Sequence, residues 1–404
     1  MRERGPAVLT GANRYGQRHF REVPGRSEAR ALLAELRDSA CRAAPQPPRF
    51  PITLYGGGDM GRMARDYFAS LGHEIGLVVD RNAETLRKDP FWRGVQIAHP
   101  DDVPSHVKQD APLILCVATA PFKPLESELA TDGWAEIVPF YDVAESQRDR
   151  HPLSNGWFAD PLSDTDFART AEVLEGWDDD LSRAHHLQFL AWRMLREEWT
   201  FEGAPVTRSD RFFIPEVSAS ADALDEFVDG GAHHGQVTRK FAALRDNAFR
   251  QIVAIEPDPD NMAAIEAMRA AMAPDVAERI ALVSAALGAE NDTRPFHRGL
   301  GYASQFSTTG QDTLRSETLD SLDLAPDFIK LHLEGAERDA LRGAQETIRR
   351  HRPILAVTTY HNADGIWRTP AWLMETLEDY RFLMRLHSWC GTGAVVYALP
   401  KEQG

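Results

Sequence analysis

Glu226-Phe227-Val228-Asp229-Gly230-Gly231-Ala232-His233-His234-Gly235 reads as a buried strand that breaks into a glycine-rich turn. A helix is expected to open at Gln236 and to run through Val237-Thr238-Arg239-Lys240-Phe241. Glycine lets the backbone turn sharply and approach a ligand where a Cβ would collide. The first N–H groups of a helix add free donors. Gln251-Ile252-Val253-Ala254-Ile255 is a second strand, closing on Glu256-Pro257-Asp258, and Glu256 lies 21 residues past Gly235. An acid at the tip of the second strand is where a doubly wound sheet holds ribose hydroxyls.

Together the turn and the acid form a nucleoside-binding half-site. It has one glycine pattern too few for a pyrophosphate cradle and fits S-adenosylmethionine better. Asp229, Gly230, Gly231 and Gly235 are assigned to the methionine part of that cofactor, and Glu256 to its ribose. Ser284 and Ala285 follow a third strand, Ile280-Ala281-Leu282-Val283, and fall where adenine should sit.

The 404 residues suffice for two or three domains, and 43% hydrophobic with 26% charged residues suits a globular enzyme. A net charge of -16 argues against nucleic acid as a partner. No apolar run reaches the length of a membrane span, and the N-terminus lacks a signal-peptide pattern. Cys41, Cys116 and Cys390 are scattered, which suits a reducing cytoplasm. The oligomeric state, a homo-oligomer included, is left open.

Four segments are expected. Residues 1–48 are a peripheral helical extension ending in the linker Ala44-Pro45-Gln46-Pro47-Pro48. Residues 49–145 are a small Rossmann-like α/β domain. Its strand Ile52–Tyr55 leads into Gly56-Gly57-Gly58-Asp59-Met60-Gly61, a Gly-x-Gly-x-x-Gly match, with Asp80 24 residues after Gly56. Gly56, Gly58, Gly61 and Asp80 are its candidate nucleotide-binding residues. Residues 146–215 are a helical bridge, with one helix read over Asp180–Trp199 and the pair His185-His186 read as solvated surface. Residues 216–404 are the main α/β domain.

That last segment carries Phe-Val-Asp-Gly-Gly-Ala-x-x-Gly, Glu-Pro-Asp-Pro-Asp-Asn, Thr-Leu-Asp, Ile-Lys-Leu-His-Leu-Glu-Gly-Ala-Glu (329–337) and a closing Tyr-Ala-Leu-Pro. Over about residues 210–400 it resembles the FkbM family of S-adenosylmethionine-dependent methyltransferases. The resemblance implies a class I methyltransferase fold, a Rossmann-like seven-stranded sheet whose last strand is antiparallel. It implies methyl transfer to a hydroxyl of a sugar, glycan or natural product. The sequence departs at His332, where family members often have Asp.

Methyl transfer from sulfonium to oxygen needs in-line alignment and help in removing the hydroxyl proton. His361 is the first choice as general base, with His332 and Glu334 as rivals. His332, Glu334, Glu337 and His361 could instead converge on a divalent metal, although their spacing is not a zinc signature. The alternative to a methyltransferase is an NAD-dependent oxidoreductase, or a nucleotide-sugar-binding protein, working through Gly56–Gly61.

Overall fold

The computed structural model describes residues 14–148, 150–151, 153, 156–299 and 303–401. Within the extension, residues 1–13 lie outside it, as do Leu300, Gly301 and Tyr302 of the loop read after Gly299. The strands in chain order are β1 Gly16–Phe20, β2 Ile52–Tyr55, β3 Ile75–Val79, β4 Ile97–Ala98, β5 Leu113–Leu115, β6 Ile137–Pro139 and β7 Glu197–Phe201. Then come β8 Glu226–Gly230, β9 Gln251–Ile255, β10 Ile280–Val283, β11 Ala286–Leu287, β12 Asp292–His297, β13 Gln305–Phe306 and β14 Asp312–Glu317. The last are β15 Phe328–Leu331, β16 Ile354–Thr358, β17 Tyr380–Leu386 and β18 Ala394–Pro400.

The large sheet has the order β10-β9-β8-β15-β16-β18-β17. β18 runs antiparallel to both β16 and β17, while the strands from β10 to β16 are parallel. This is the seven-stranded sheet with an antiparallel last strand that the resemblance implies. Its central strands are buried on both faces, so they read as near-continuous apolar runs. Phe227 stacks on Phe241 and Phe328 with ring centroids 4.5 and 5.0 Å apart, which fixes the helix Gln236–Leu244 against one face.

The smaller sheet is fully parallel, in the order β4-β3-β2-β5-β6. The helix Asp59–Ser70 packs so closely on it that a Cβ on Gly61 would stand 2.1 Å from the carbonyl oxygen of Gly56. That glycine therefore serves helix–strand approach. Trp389 N–H donates to the Ala118 carbonyl at 2.8 Å, tying this sheet's carboxyl edge to the loop before β18.

Three expectations are corrected. The segment before residue 49 is not peripheral: β1 pairs in parallel with β7, and Leu32, Leu33 and Leu36 of the helix Arg26–Asp38 enter the main core. The bridge helix ends at Leu195 rather than Trp199, because Arg196 turns left-handed (φ 58°) and β7 begins. His185 and His186 are buried, as is every residue from Ser182 to Leu195, since this helix is enclosed by the first helix, β7 and β17. Each histidine has a reason to be there. His186 accepts from Trp177 Nε1 at 3.1 Å and meets the Ile366 carbonyl at 2.7 Å, while His185 accepts from Leu386 N–H at 3.3 Å. A four-stranded sheet, β11-β14-β12-β13, was not foreseen; its Leu287, Phe296 and Phe306 help to line the cleft described below.

Candidate active site

A cleft of about 930 Å³ runs along the carboxyl ends of both parallel sheets. Gly56, Gly58 and Asp80 line one end; Gly231, Glu256 and Ala285 line another; His332, Glu334 and His361 line a third. Ligands of open α/β sheets sit at this edge because the helix N-termini and the strand-end loops converge there.

The cofactor end is built on the β8 turn. Register sets Lys330 of β15 directly opposite Asp229 of β8. Lys330 Nζ bonds Asp229 Oδ1 at 2.9 Å and donates to the carbonyls of Gly230 (3.1 Å) and Gly231 (2.8 Å). Thr238 Oγ1 donates to the other Asp229 oxygen at 2.8 Å. Asp229 is fully buried and off the cleft wall, so the expected contact to cofactor gives way to an internal role: it anchors the lysine that pins the glycine turn. Gly231 has φ +72°, and a Cβ there would lie 2.0 Å from the His332 carbonyl oxygen. Gly235 has φ +73°, and its Cβ would strike Met268.

Glu256 stands at the tip of β9, on the cleft wall, as the sequence suggests. Its Oε2 accepts from His233 N–H at 2.8 Å, and its Oε1 from Asp258 N–H at 3.0 Å and Asn261 Nδ2 at 3.2 Å. Burial pushes this carboxyl upward despite those donors. Ala285 lines the cleft, whereas Ser284 is exposed and off its wall.

The third end holds a compact cluster. β15 stops at Leu331, so His332 and Glu334 sit on the turn beyond the strand. Glu334 adopts φ +50°, a left-handed conformation that costs about 1–2 kcal/mol for a residue with a Cβ. Its Oε1 lies 3.0 Å from His332 Nε2 and 3.3 Å from His361 Nε2. The two imidazoles stack 5.1 Å apart at 12°. Behind them, His361 Nδ1 meets Glu337 Oε1 at 2.7 Å. Glu337 also accepts from the Leu333 and Gly335 amides, each at 3.0 Å, and from Thr358 Oγ1 at 2.7 Å.

Burial alone would neutralise His361, but Glu334 and Glu337 on its two nitrogens raise it well above the usual histidine range. Burial pushes His332 down to about 3, against the pull of Glu334. Burial would raise Glu334, yet the two histidines hold it below the ordinary carboxylate range. His332 is thus the less basic of the two imidazoles, and His361 is the one held between two carboxylates.

Two further neighbours were not foreseen. Tyr360 Oη lies 3.1 Å from His332 Nε2, and Arg211 donates to that hydroxyl at 2.9 Å. Tyr360 adjoins His361 and was within reach of inspection. Arg211 enters from a loop 149 residues away, which no local pattern marks. Glu337, weighed earlier as a fourth metal ligand, instead stands behind His361.

At the amino-terminal end, Gly57 N–H and Asn82 N–H both donate to Asp80 at 2.7 Å, so this acid braces its own loop while lining the cleft. A Cβ on Gly58 would meet nothing within 4 Å, and Gly61 lies beneath the loop rather than on the wall.

A glycine turn, a strand-tip carboxylate and a polar cluster on one seven-stranded sheet define a methyltransferase fold. Residues 229–384 match the family described as the methyltransferase FkbM domain. Along nearly its whole length the chain is similar in fold to the crystal structure of a methyltransferase FkbM from Methylobacillus flagellatus KT. The match covers 93% of this chain and 94% of that one, at 18% identity and a TM-score of 0.58. An SAH-bound methyltransferase from Podospora anserina matches at 12% identity over 70% of this chain and 98% of its own, with a TM-score of 0.31, too low to bear on the site. No curated protein matches. No helix among the described residues is long and apolar enough to cross a membrane.

Proposed function

We propose that the protein transfers a methyl group from S-adenosylmethionine to a hydroxyl oxygen of a sugar, glycan or other natural product. The observation that carries this reading is that Glu256, past the end of β9, and the His332–Glu334–His361 cluster, past the ends of β15 and β16, stand on the walls of one cleft at the same edge of one sheet. Glu256 takes the ribose hydroxyls, and the Gly230–Gly231 turn gives the cofactor room. The cluster receives the acceptor hydroxyl and promotes loss of its proton as oxygen attacks the methyl carbon. The S–CH3 bond breaks, and its electron pair stays on sulfur. Holding donor and acceptor in line supplies much of the acceleration in such a displacement.

A second reading of the acceptor comes from the same cleft. Gly56, Gly58 and Asp80 open onto it, so a nucleotide-linked sugar could rest its nucleotide there and extend its sugar toward His332.

Calorimetric titration with S-adenosylhomocysteine, and separately with NAD, tests the assignment. S-adenosylhomocysteine should bind, and Glu256→Ala should weaken it by about 10- to 100-fold, the worth of hydrogen bonds to a charged group. Binding of NAD alone, lost in Gly58→Ala, would move the chemistry to the amino-terminal sheet. Methylated product from a glycan and nucleotide-sugar panel would then fix the acceptor.

A further inference from the structure

We propose that His332, Glu334 and His361 bind one divalent transition-metal ion, of the Zn2+ class rather than Mg2+ or Ca2+, and that the acceptor hydroxyl docks on it. What the ion does rests on the methyl-transfer reading; that it binds does not.

The geometry is that of a coordination sphere. Metal bonds to imidazole nitrogen and carboxylate oxygen are about 2.0–2.2 Å long, which puts neighbouring ligand atoms about 3.0–3.4 Å apart. Glu334 Oε1 is 3.0 Å from one Nε2 and 3.3 Å from the other, and the three ligand atoms lie within 4.8 Å of one another. Tyr360 Oη, 3.1 Å from His332 Nε2, offers an adjoining oxygen. All three ligands face the cleft, which leaves open positions for a substrate. Two imidazoles and one carboxylate with open positions favour zinc, iron or cobalt; magnesium and calcium favour all-oxygen sites.

The surroundings orient the ligands as a metal site requires. A ligating histidine ordinarily hands its other ring nitrogen to a carboxylate, which fixes the tautomer and the ring direction. Glu337 does this for His361 at 2.7 Å, and two amides and a threonine hydroxyl hold Glu337 in turn. Glu334 and Glu337 bring two carboxylates against the imidazoles, so the site offers negative charge to a bound cation. Arg211 on Tyr360, Lys330 on Asp229 and Arg193 on the Tyr360 and Asn362 carbonyls are nearby cations that spend these donors elsewhere.

A bound ion acidifies the hydroxyl that coordinates it. The acceptor oxygen then attacks as an alkoxide: its O–CH3 bond forms as the S–CH3 bond breaks, and its proton leaves to solvent through the cleft. An acceptor with two neighbouring hydroxyls gains most, because both can coordinate.

The test is calorimetric titration of the full chain, dialysed against a chelator, with ZnCl2, CoCl2 and MgCl2. One Zn2+ or Co2+ per chain is expected, with a visible Co2+ absorption band that disappears in His361→Ala. Glu334→Gln should weaken Zn2+ binding at least 100-fold, and Glu337→Gln by about 10- to 100-fold. S-adenosylhomocysteine titration of the same samples reports whether each variant is folded. No stoichiometric Zn2+ or Co2+ binding, retention of Mg2+ alone, or Zn2+ binding unchanged in both Glu334→Gln and His332→Ala overturns the proposal. S-adenosylhomocysteine binding without metal binding would sink the ion and leave the methyltransferase. Metal binding without S-adenosylhomocysteine binding would do the reverse.

Discussion

Glu337 Oε1 sits 2.7 Å from Nδ1 of His361, and both side chains are buried. Glu337 does not line the cleft, so it acts through the ring it holds. It is a positioning residue. Glu337→Gln should lower kcat by about 10- to 100-fold, the usual cost of losing an orienting carboxylate, with little change in KM or in S-adenosylhomocysteine affinity. Steady-state kinetics on an identified acceptor checks the split. A fall in both kcat and cofactor affinity would mean that the side chain serves the fold instead.

Lys330 and Asp229 form a buried pair whose members are opposed across two central strands. Removing one partner leaves the other charged, buried and alone, which costs about 3–5 kcal/mol. Lys330→Met should therefore unfold at markedly lower denaturant than the parent. It should also weaken S-adenosylhomocysteine binding, because the Gly230 and Gly231 carbonyls lose their clamp. Urea titration with a ligand titration beside it measures both. An unchanged midpoint would refute the account.

Gly231 combines a left-handed backbone with a carbonyl 2.0 Å from where a Cβ would lie. Gly231→Ala must push the turn away from His332, which supplies that carbonyl. Cofactor affinity and turnover should both collapse. Gly58→Ala, with open space around its Cβ, should leave stability unchanged within about 0.5 kcal/mol. Parallel thermal melts separate the two.

His185 and His186 are each pushed down to about 4, chiefly by burial in the bridge helix. Their folded-state values lie below the unfolded value near 6.5, so the fold gains from their neutral forms. That stability is whole above about pH 6.5 and drains away as pH falls through about 4, on the order of 3 kcal/mol for each at the limit. Denaturant midpoints between pH 7.5 and 4.5 should fall, and His186→Gln should flatten the slope by one proton. A slope identical to the parent's would show that another group takes up the proton.

Much of the site was legible because it is local. The run from Glu226 to Phe241 shows its strand, turn and helix through apolar residues, glycines and spacing, and the structure draws them at those positions. Glu256 follows from the same short-range logic. β7 was missed because the bridge helix was read on through Trp199. What makes it a strand is Gly16–Phe20, its partner 181 residues earlier. The burial of His185 and His186 was missed for a related reason. Polar residues on a helix read as solvated until Trp177, Ile366 and Leu386 arrive from elsewhere to satisfy them.

The sequence alone determined the strand periods, the glycines that permit left-handed turns, and the acid at the tip of β9. These depend on residues within a few positions of one another. Only the tertiary structure decided that Asp229 faces Lys330 rather than a ligand, that Arg193 grips the Tyr360 and Asn362 carbonyls around His361, and that His361 meets His332 and Glu334. Those pairings join strands and loops far apart in the chain. Sheet register and burial set them, and no local pattern encodes either.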